Sequence, residues 1–301
     1  MLTRLGRVAG VEVDPEEGTA GGAVQFLADA DRPGGWLLLI DRIRQSYVDL
    51  DDPTYLDFEY AQWFADVFDV LPAGPLAVTH VGGGACTLAR YVGATRPGSS
   101  QIVLEPDERL TALVRARLPF ARGTRVRIRP VGGAQGIAAL RDASADVLVL
   151  DAFAGGRVPA ELTTVEFLTE VARVLAPGGV IIANVADGGP PASRGVAGGG
   201  GESLTYTRRL IAGLRTVFAD VLVRADPAVL KGRRFGNVVL AASGDDLPVA
   251  ELSRRAAGAM FPQRVVSGAE LTHLVREAAP LSAADPMRSP APPDEIWRVG
   301  G

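Results

Sequence analysis

The sequence predicts an α/β fold: a doubly wound, mainly parallel sheet with a small antiparallel β domain before it. Apolar strand-like segments alternate with helix-like segments from residue 76 onward, which is typical of a parallel sheet with helices on both faces. The first 55 residues instead hold short strand-like runs separated by turn residues. We therefore expect a β domain over 1–55, a Rossmann-like domain over 56–245, and a C-terminal helix with an irregular tail over 246–301.

Each element is predicted from its own pattern. In the first domain, strands are expected at 4–13, 23–28 and 35–41, and a helix over 58–70 leads into the second domain. That domain has predicted strands at 76–81, 101–105, 125–130, 146–151, 179–185, 219–224 and 236–242. Its predicted helices cover 85–93, 107–118, 134–141, 160–175 and 203–218. Since ligands bind beyond the carboxyl ends of parallel strands, this order predicts a ligand site at that edge.

Composition excludes several function classes. The 301 residues carry a net charge of −4 without a block rich in lysine or arginine, so we expect no nucleic-acid and no membrane partner. Cys86 is the sole cysteine and there are two histidines, which excludes an intrachain disulfide and argues against a zinc site. No apolar run is long enough to span a bilayer, and the N-terminus does not resemble a signal peptide. We expect a cytoplasmic protein without a bound metal.

A glycine turn indicates a nucleoside-type ligand. Gly82, Gly83 and Gly84 follow the first apolar strand of the large domain, and Glu105 ends the next strand. Glycines let a ligand approach the backbone, and a carboxylate at that distance along the chain can accept hydrogen bonds from ribose hydroxyls. Thr87 stands where a dinucleotide-binding motif has its last glycine, which disfavours a dinucleotide. Glu105 as a solvated strand end remains the alternative.

Several nearby residues allow two interpretations. Asp151 ends an apolar strand and is either a general base and cation anchor or a turn residue. Asp107 is expected to cap a helix, and His80 to be a satisfied core histidine. Cys86 is expected to be a small buried thiol, with a reactive thiol as the alternative. The glycine-rich segment 187–202 is a linker or a lid.

Two further motifs point to a family. Leu175-Ala176-Pro177-Gly178-Gly179 before an apolar strand resembles the fold of S-adenosylmethionine-dependent methyltransferases. The segment 39–45, followed by Tyr55, Phe58 and Tyr60, resembles spermidine synthases, and the resemblance extends over about residues 35–245. It implies a methyltransferase-type sheet, aminopropyl transfer from decarboxylated S-adenosylmethionine or a related S-adenosylmethionine donor, a small amine acceptor, and a homodimer or homotetramer.

The resemblance also implies roles for individual residues. Gln45 and Glu105 would contact the nucleoside, and Tyr60 the amine end, while Asp151 would be the catalytic carboxylate. The remaining donor-binding positions would lie in the glycine turn and around the start of the helix predicted at 134–141. They are Gly82, Gly83, Gly84, Gly133 and Ala134.

Three acids of the family pattern are missing. Ala85, Gly133 and Ala154 stand where the family usually has aspartate or another acid. Because burying an unpaired ammonium is unfavourable, ordinary putrescine chemistry is doubtful. A non-catalytic binding or assembly protein and a small-molecule methyltransferase therefore remain alternatives, and an NAD-dependent dehydrogenase ranks last.

Overall fold

The computed structural model describes residues 17–189 and 204–293. Its contacts divide the chain into two compact units, the first ending at Gly136 and the second covering Ile137–Pro293. The predicted strand at 4–13, most of the segment proposed as linker or lid, and the last eight residues of the predicted tail lie outside the described residues. The domain boundaries at 55 and 245 stay predictions.

The first unit begins with a small antiparallel sheet, as predicted. Its strands are β1 (Glu17–Thr19), β2 (Gly22–Ala28), β3 (Gly35–Ile40) and β4 (Ile43–Asp49), in the order β1-β2-β3-β4. The sequence analysis did not predict β4. This strand pairs with β3. The register of the pair shifts by one residue, since Leu38 faces Ser46 whereas Leu39 faces Arg44. Gln45 is thus the extra residue of a β-bulge, a feature that redirects side chains.

The rest of the first unit follows the predicted alternation of helices and strands. Its elements are α1 (Glu59–Val70), β5 (Ala77–Val81), α2 (Thr87–Thr95), β6 (Ser100–Leu104), α3 (Glu108–Arg117) and β7 (Arg125–Arg129), followed by α4 (Gly133–Ala138), which continues past the unit boundary. Strands β5, β6 and β7 are parallel and lie in that order. The antiparallel sheet packs on this layer through an apolar cluster of Val24, Leu38, Val48, Ala85, Leu110, Val114 and Leu118.

The second unit has five strands in the order β12-β10-β11-β9-β8. Its elements are β8 (Ala145–Leu150), α5 (Val165–Val174), β9 (Leu175–Asp187), α6 (Thr205–Val217), β10 (Asp220–Ala225), α7 (Pro227–Leu230), β11 (Gly236–Ser243), α8 (Val249–Ala257), β12 (Arg264–Val266) and α9 (Gly268–Val275). Strands β8 and β9 are parallel, and the pairs β9–β11, β11–β10 and β10–β12 are antiparallel. The predicted α/β fold class is confirmed.

One predicted helix is divided. The segment 160–175 forms a short 3-10 helix at Ala160–Leu162, and α5 begins only at Val165. The backbone N–H of Phe167 donates to Thr164 Oγ1 at 3.3 Å, so Thr164 caps α5 and marks its start. Within residues 17–189 and 204–293, no helix combines the length and apolar character needed to cross a membrane.

Candidate functional site

The glycine turn has a backbone conformation that favours glycine. Gly82 has φ = 97° and Gly84 has φ = 48°, both in the left-handed region that L-residues with side chains rarely adopt. Gly83 is closely packed, because a Cβ there would lie 3.1 Å from Glu105 Cβ and 3.2 Å from Glu105 Oε2. The turn therefore brings its backbone directly against the carboxylate.

Glu105 lies immediately after β6 with 9% of its surface exposed. Its Oε2 accepts the backbone N–H of Gly83 at 3.0 Å, and its Oε1 accepts the backbone N–H of Asp107 at 3.0 Å. Burial raises the pKa of Glu105, and hydrogen bonds from the backbone N–H groups of Asp107, Gly83 and Gly84 oppose that shift. The carboxylate is fixed in place while its oxygens keep further lone pairs for hydroxyl donors.

Strand β4 meets the glycine turn through a residue that sequence reasoning missed. The backbone N–H of Ala85 donates to Ser46 Oγ at 3.1 Å, and a Cβ at Gly84 would lie 2.5 Å from that oxygen. Thr87 Oγ1 donates to the carbonyl oxygen of Tyr47 at 2.9 Å. The half-buried Gln45, at the bulge, is next to Ser46 in the chain. The bulge is thus adjacent to the residue that contacts the turn.

Ala85, where the sequence analysis expects an acid of the family to be missing, has apolar surroundings. Its side chain is fully buried in the cluster with Val24, Leu38 and Val48. The carbonyl oxygen of Ala85 accepts a hydrogen bond from Arg90 Nε at 3.0 Å. The buried Arg90 thereby stabilises the backbone of the turn at Ala85. The methyl group at position 85 is therefore part of the apolar packing.

The other residues close to the turn are structural. Cys86 is buried, and burial raises the pKa of its thiol to about 12, which supports the interpretation as an unreactive thiol. His80 Nε2 and Gln101 Oε1 lie 2.9 Å apart, and burial lowers the pKa of His80 to about 4. The prediction of a satisfied core histidine is confirmed. So is the helix cap, because Asp107 Oδ1 accepts the backbone N–H of Leu110 at 2.8 Å.

Tyr60 lies in the first turn of α1, half-buried among aromatic side chains. Its ring centroid is 5.9 Å from that of Phe58 and 6.0 Å from that of Phe64. Asp57 precedes this helix and is 9% exposed, and burial raises its pKa while the charge of Arg44 opposes the shift. An acid and an aromatic ring are therefore close together in sequence at the start of α1.

Gly133 and Ala134 form the first turn of α4, Gly133 half-buried and Ala134 exposed. Gly136, in the same helix, approaches β6 closely, since a Cβ there would lie 2.6 Å from Leu104 Cδ1. Glu105 thus contacts Gly83 and Gly84 of the glycine turn directly, whereas the roles of Gly133 and Ala134 stay predictions.

In the second unit, Asp151 follows β8 and is held by a neighbouring strand. Leu150 pairs with Ala183 in the parallel register of β8 and β9, so Asp151 is next to Asn184. Asn184 Nδ2 donates to Asp151 Oδ1 at 3.0 Å. Asn184 is 1% exposed, and its Oδ1 has no hydrogen-bond partner among the described residues. The sequence analysis missed Asn184. The signal that could have found it is that Asn184 is a polar residue in the otherwise apolar run of β9.

A second carboxylate fixes the far end of β9. Asp187 is buried, and its Oδ2 accepts the backbone N–H of Thr207 at 2.8 Å and the hydroxyl of Thr207 at 2.7 Å. The N-cap residue of α6, Leu204, supplies no side-chain cap, so Asp187 caps the helix from the strand.

Ala154 is exposed and forms a bridge with Arg157. In residues 17–189 and 204–293, no group of three or more acidic, histidine or cysteine side chains is arranged to hold a metal ion.

The fold and the glycine turn define the class: an α/β protein of the methyltransferase type. No protein-family model matches the sequence. A probable spermidine synthase from Corynebacterium glutamicum superposes with a TM-score of 0.76 and is 30% identical, covering 96% of this chain and 100% of that one. The chain belongs to the spermidine synthase-like family.

A second relative is similar in sequence, and a further solved structure shares the fold. A polyamine aminopropyltransferase of Chromobacterium violaceum is 29% identical over 142 residues, which are 46% of this chain. The match spans about half of that relative's length, 53%. The spermidine synthase of Thermotoga maritima shares the fold at 16% identity, with a TM-score of 0.54 over 82% of this chain.

Proposed function

We propose that this chain is a transferase of the aminopropyltransferase type, whose donor is decarboxylated S-adenosylmethionine or S-adenosylmethionine. The observation that carries the proposal is the contact between Gly83 and Glu105, in which a glycine turn holds a buried carboxylate by a 3.0 Å hydrogen bond. The carboxylate would accept the ribose hydroxyls, and the side-chain-free turn would admit the nucleoside. Gln45, Gly133 and Ala134 would complete the nucleoside contacts, and Tyr60 would contact the amine end.

In the proposed reaction, Asp151 accepts the proton of the acceptor's ammonium group. The donor supplies a carbon made electrophilic by its sulfonium. The amine nitrogen forms a bond to that carbon while the carbon–sulfur bond breaks and its electron pair remains on sulfur. Asn184 would hold the Asp151 carboxylate in the orientation that this proton transfer needs, through the 3.0 Å hydrogen bond.

A second candidate, a small-molecule methyltransferase, is favoured by one observation. Ala85 is fully buried in an apolar cluster at the position where the family has an acid for the donor's amino group. Without that acid, the aminopropyl end of the donor loses an expected partner. Transfer of a methyl group from S-adenosylmethionine would not need it.

Mass spectrometry of the products separates these functions. The protein is incubated with a set of small amines and either donor, and the acceptor's gain in mass identifies an aminopropyl or a methyl group. We expect Asp151→Asn to lower the transfer rate at least about 100-fold, in the range of general base catalysis. Asp246→Asn, which removes the same charge from an exposed position, serves as the control. Absence of transfer from both donors would instead support a binding protein without catalysis.

A further inference from the structure

A basic cleft of about 490 Å³ lies in the second unit. It is formed by α6, by the loop that follows α7, and by α9. The charged or titratable side chains of its wall are those of Arg208, Lys231, Arg233, His273 and Arg276, and three leucines complete it. Within the described part of the chain, no acidic side chain lines this cleft.

Two cations of the cleft wall have no ion-pair partner in the described part of the chain. Lys231 and Arg233 are exposed and form no ion pair with any residue in 17–189 or 204–293. Two acidic groups on adjoining elements have other partners: Asp226 pairs with Arg234 at 3.2 Å, and Asp187 is hydrogen-bonded to α6. Glu277, next to Arg276, is exposed. In a chain with a net charge of −4, these two exposed cations on one turn beside the cleft, Lys231 and Arg233, create a local positive potential.

The loop that carries these cations is held by its backbone. The N–H of Gly232 donates to the carbonyl oxygen of Val229 at 2.8 Å, and the N–H of Arg233 donates to that of Ala228 at 2.8 Å. Gly232 has φ = 64°, which lets the chain turn back towards β11. Lys231 and Arg233 therefore extend from a fixed turn, and less conformational entropy is lost when both meet one ligand.

The cleft lies at the same sheet edge as Asp151. Strands β8 and β9 are parallel, so Asp151 and Asp187 follow their carboxyl ends at one edge. Strand β11 runs the opposite way, and its first residue, Gly236, pairs with Asp187. The loop 230–235 and the start of α6 are consequently at that edge as well. In an α/β sheet this is the edge at which ligands bind.

We propose that this cleft binds the anionic group, phosphate or carboxylate, of a small molecule. Guanidinium and ammonium groups are the usual protein partners of both anions. A dication such as a diamine is repelled by the same charges. If the chain is also a transferase, we infer that its acceptor carries an acidic group. This part of the inference rests on the proposed function.

Calorimetric titration of the full chain at low ionic strength and pH 7 tests the proposal. Separate titrations use inorganic phosphate, succinate and putrescine. We expect saturable binding of at least one anion and none of putrescine. The double variant Lys231→Ala/Arg233→Ala should weaken the anion's affinity at least about tenfold, since two charge-assisted contacts are lost. If the double variant does not fold, the single variant Lys231→Gln should still weaken the affinity for the anion several-fold.

The matched control is Arg122→Ala/Arg125→Ala, which removes two charges from exposed positions in the first unit. The affinity of this control variant for the anion should stay within about twofold of that of the original protein, because these positions are outside the cleft. Failure of both anions to bind, or an equal loss in the control, would overturn the proposal. Since no sulfonium compound is present, this result is independent of whether the proposed donor binds.

Discussion

Glu105 shows how a single buried side chain can connect the fold to a ligand. Its two oxygens each accept one backbone N–H, at 3.0 Å, from the glycine turn and from the residue that caps α3. Burial raises its pKa, so additional hydroxyl donors would stabilise the ionised form. The same carboxylate thus fixes the turn and offers acceptors to a ribose.

His80 gives a pH-dependent contribution to stability. Burial lowers its pKa from 6.5 to about 4 in the folded protein, so the unfolded chain binds a proton first as the pH falls. Stability contributed by the neutral ring is present above pH 6.5 and is lost as the pH falls towards 4, by up to about 3 kcal/mol.

We expect His80→Gln to remove this part of the pH dependence. Urea unfolding at pH 5 and at pH 7.5 measures it for the original protein and the variant, and other titrating groups cancel in the difference. An unchanged loss of stability at pH 5 in His80→Gln would show that His80 is not the responsible group.

An acid at position 85 should destabilise the protein. Ala85→Asp places a carboxylate in a fully buried apolar cluster, and we expect a loss of about 3 kcal/mol or more. Ala112→Asp makes the same substitution on the exposed face of α3 and should cost about 1 kcal/mol or less. Chemical denaturation compares the two. Equal stability losses would show that position 85 has room for an acid.

At the scale of elements, the β-bulge in β4 and the carboxylate at the end of β9 position neighbouring segments. Ser46 connects the small sheet to the glycine turn, and Asp187 connects β9 to α6. Both contacts join segments that are far apart in the sequence. Each therefore fixes one element relative to another within its own unit.

Removal of the Asp187 carboxylate should expose this role. Asp187→Ala leaves the buried N–H and hydroxyl of Thr207 without their acceptor, and we expect a loss of about 2–4 kcal/mol in the free energy of unfolding. Asp226→Ala, which removes the side-chain cap of the short α7, should cost about 1 kcal/mol. Urea unfolding of both variants checks the difference. A loss no larger than that of Asp226→Ala would contradict the assigned role.

Local sequence patterns were sufficient for most of the elements and for part of the site. The apolar runs predicted β5 to β9, and the glycine turn with Glu105 was found because both follow strand ends. Strand β4 and its bulge were missed, since they depend on pairing with β3. Asn184 and the basic cleft depend on neighbours that only the folded sheet supplies.

At the scale of the whole molecule, membership in the spermidine synthase-like family agrees with the glycine turn, whereas the identity of the acceptor stays a proposal. Ala85 is part of an apolar cluster, Ala154 is exposed, and a basic cleft lies at the edge where Asp151 follows its strand. These features support retention of a sulfonium donor with an acceptor other than a simple diamine. Cytoplasmic location and a homodimer or homotetramer stay predictions.

The central claim is that the glycine turn and Glu105 bind an adenosyl-sulfur compound. Isothermal titration with decarboxylated S-adenosylmethionine, S-adenosylmethionine and methylthioadenosine tests it, using Glu105→Gln and, as the matched control on the exposed start of α3, Glu108→Gln. We predict binding of at least one compound, at least about tenfold weaker in Glu105→Gln because a charged acceptor of hydroxyl hydrogen bonds is lost, and unchanged in Glu108→Gln. Absence of heat with all three compounds, or equal affinity in both variants, would contradict the claim.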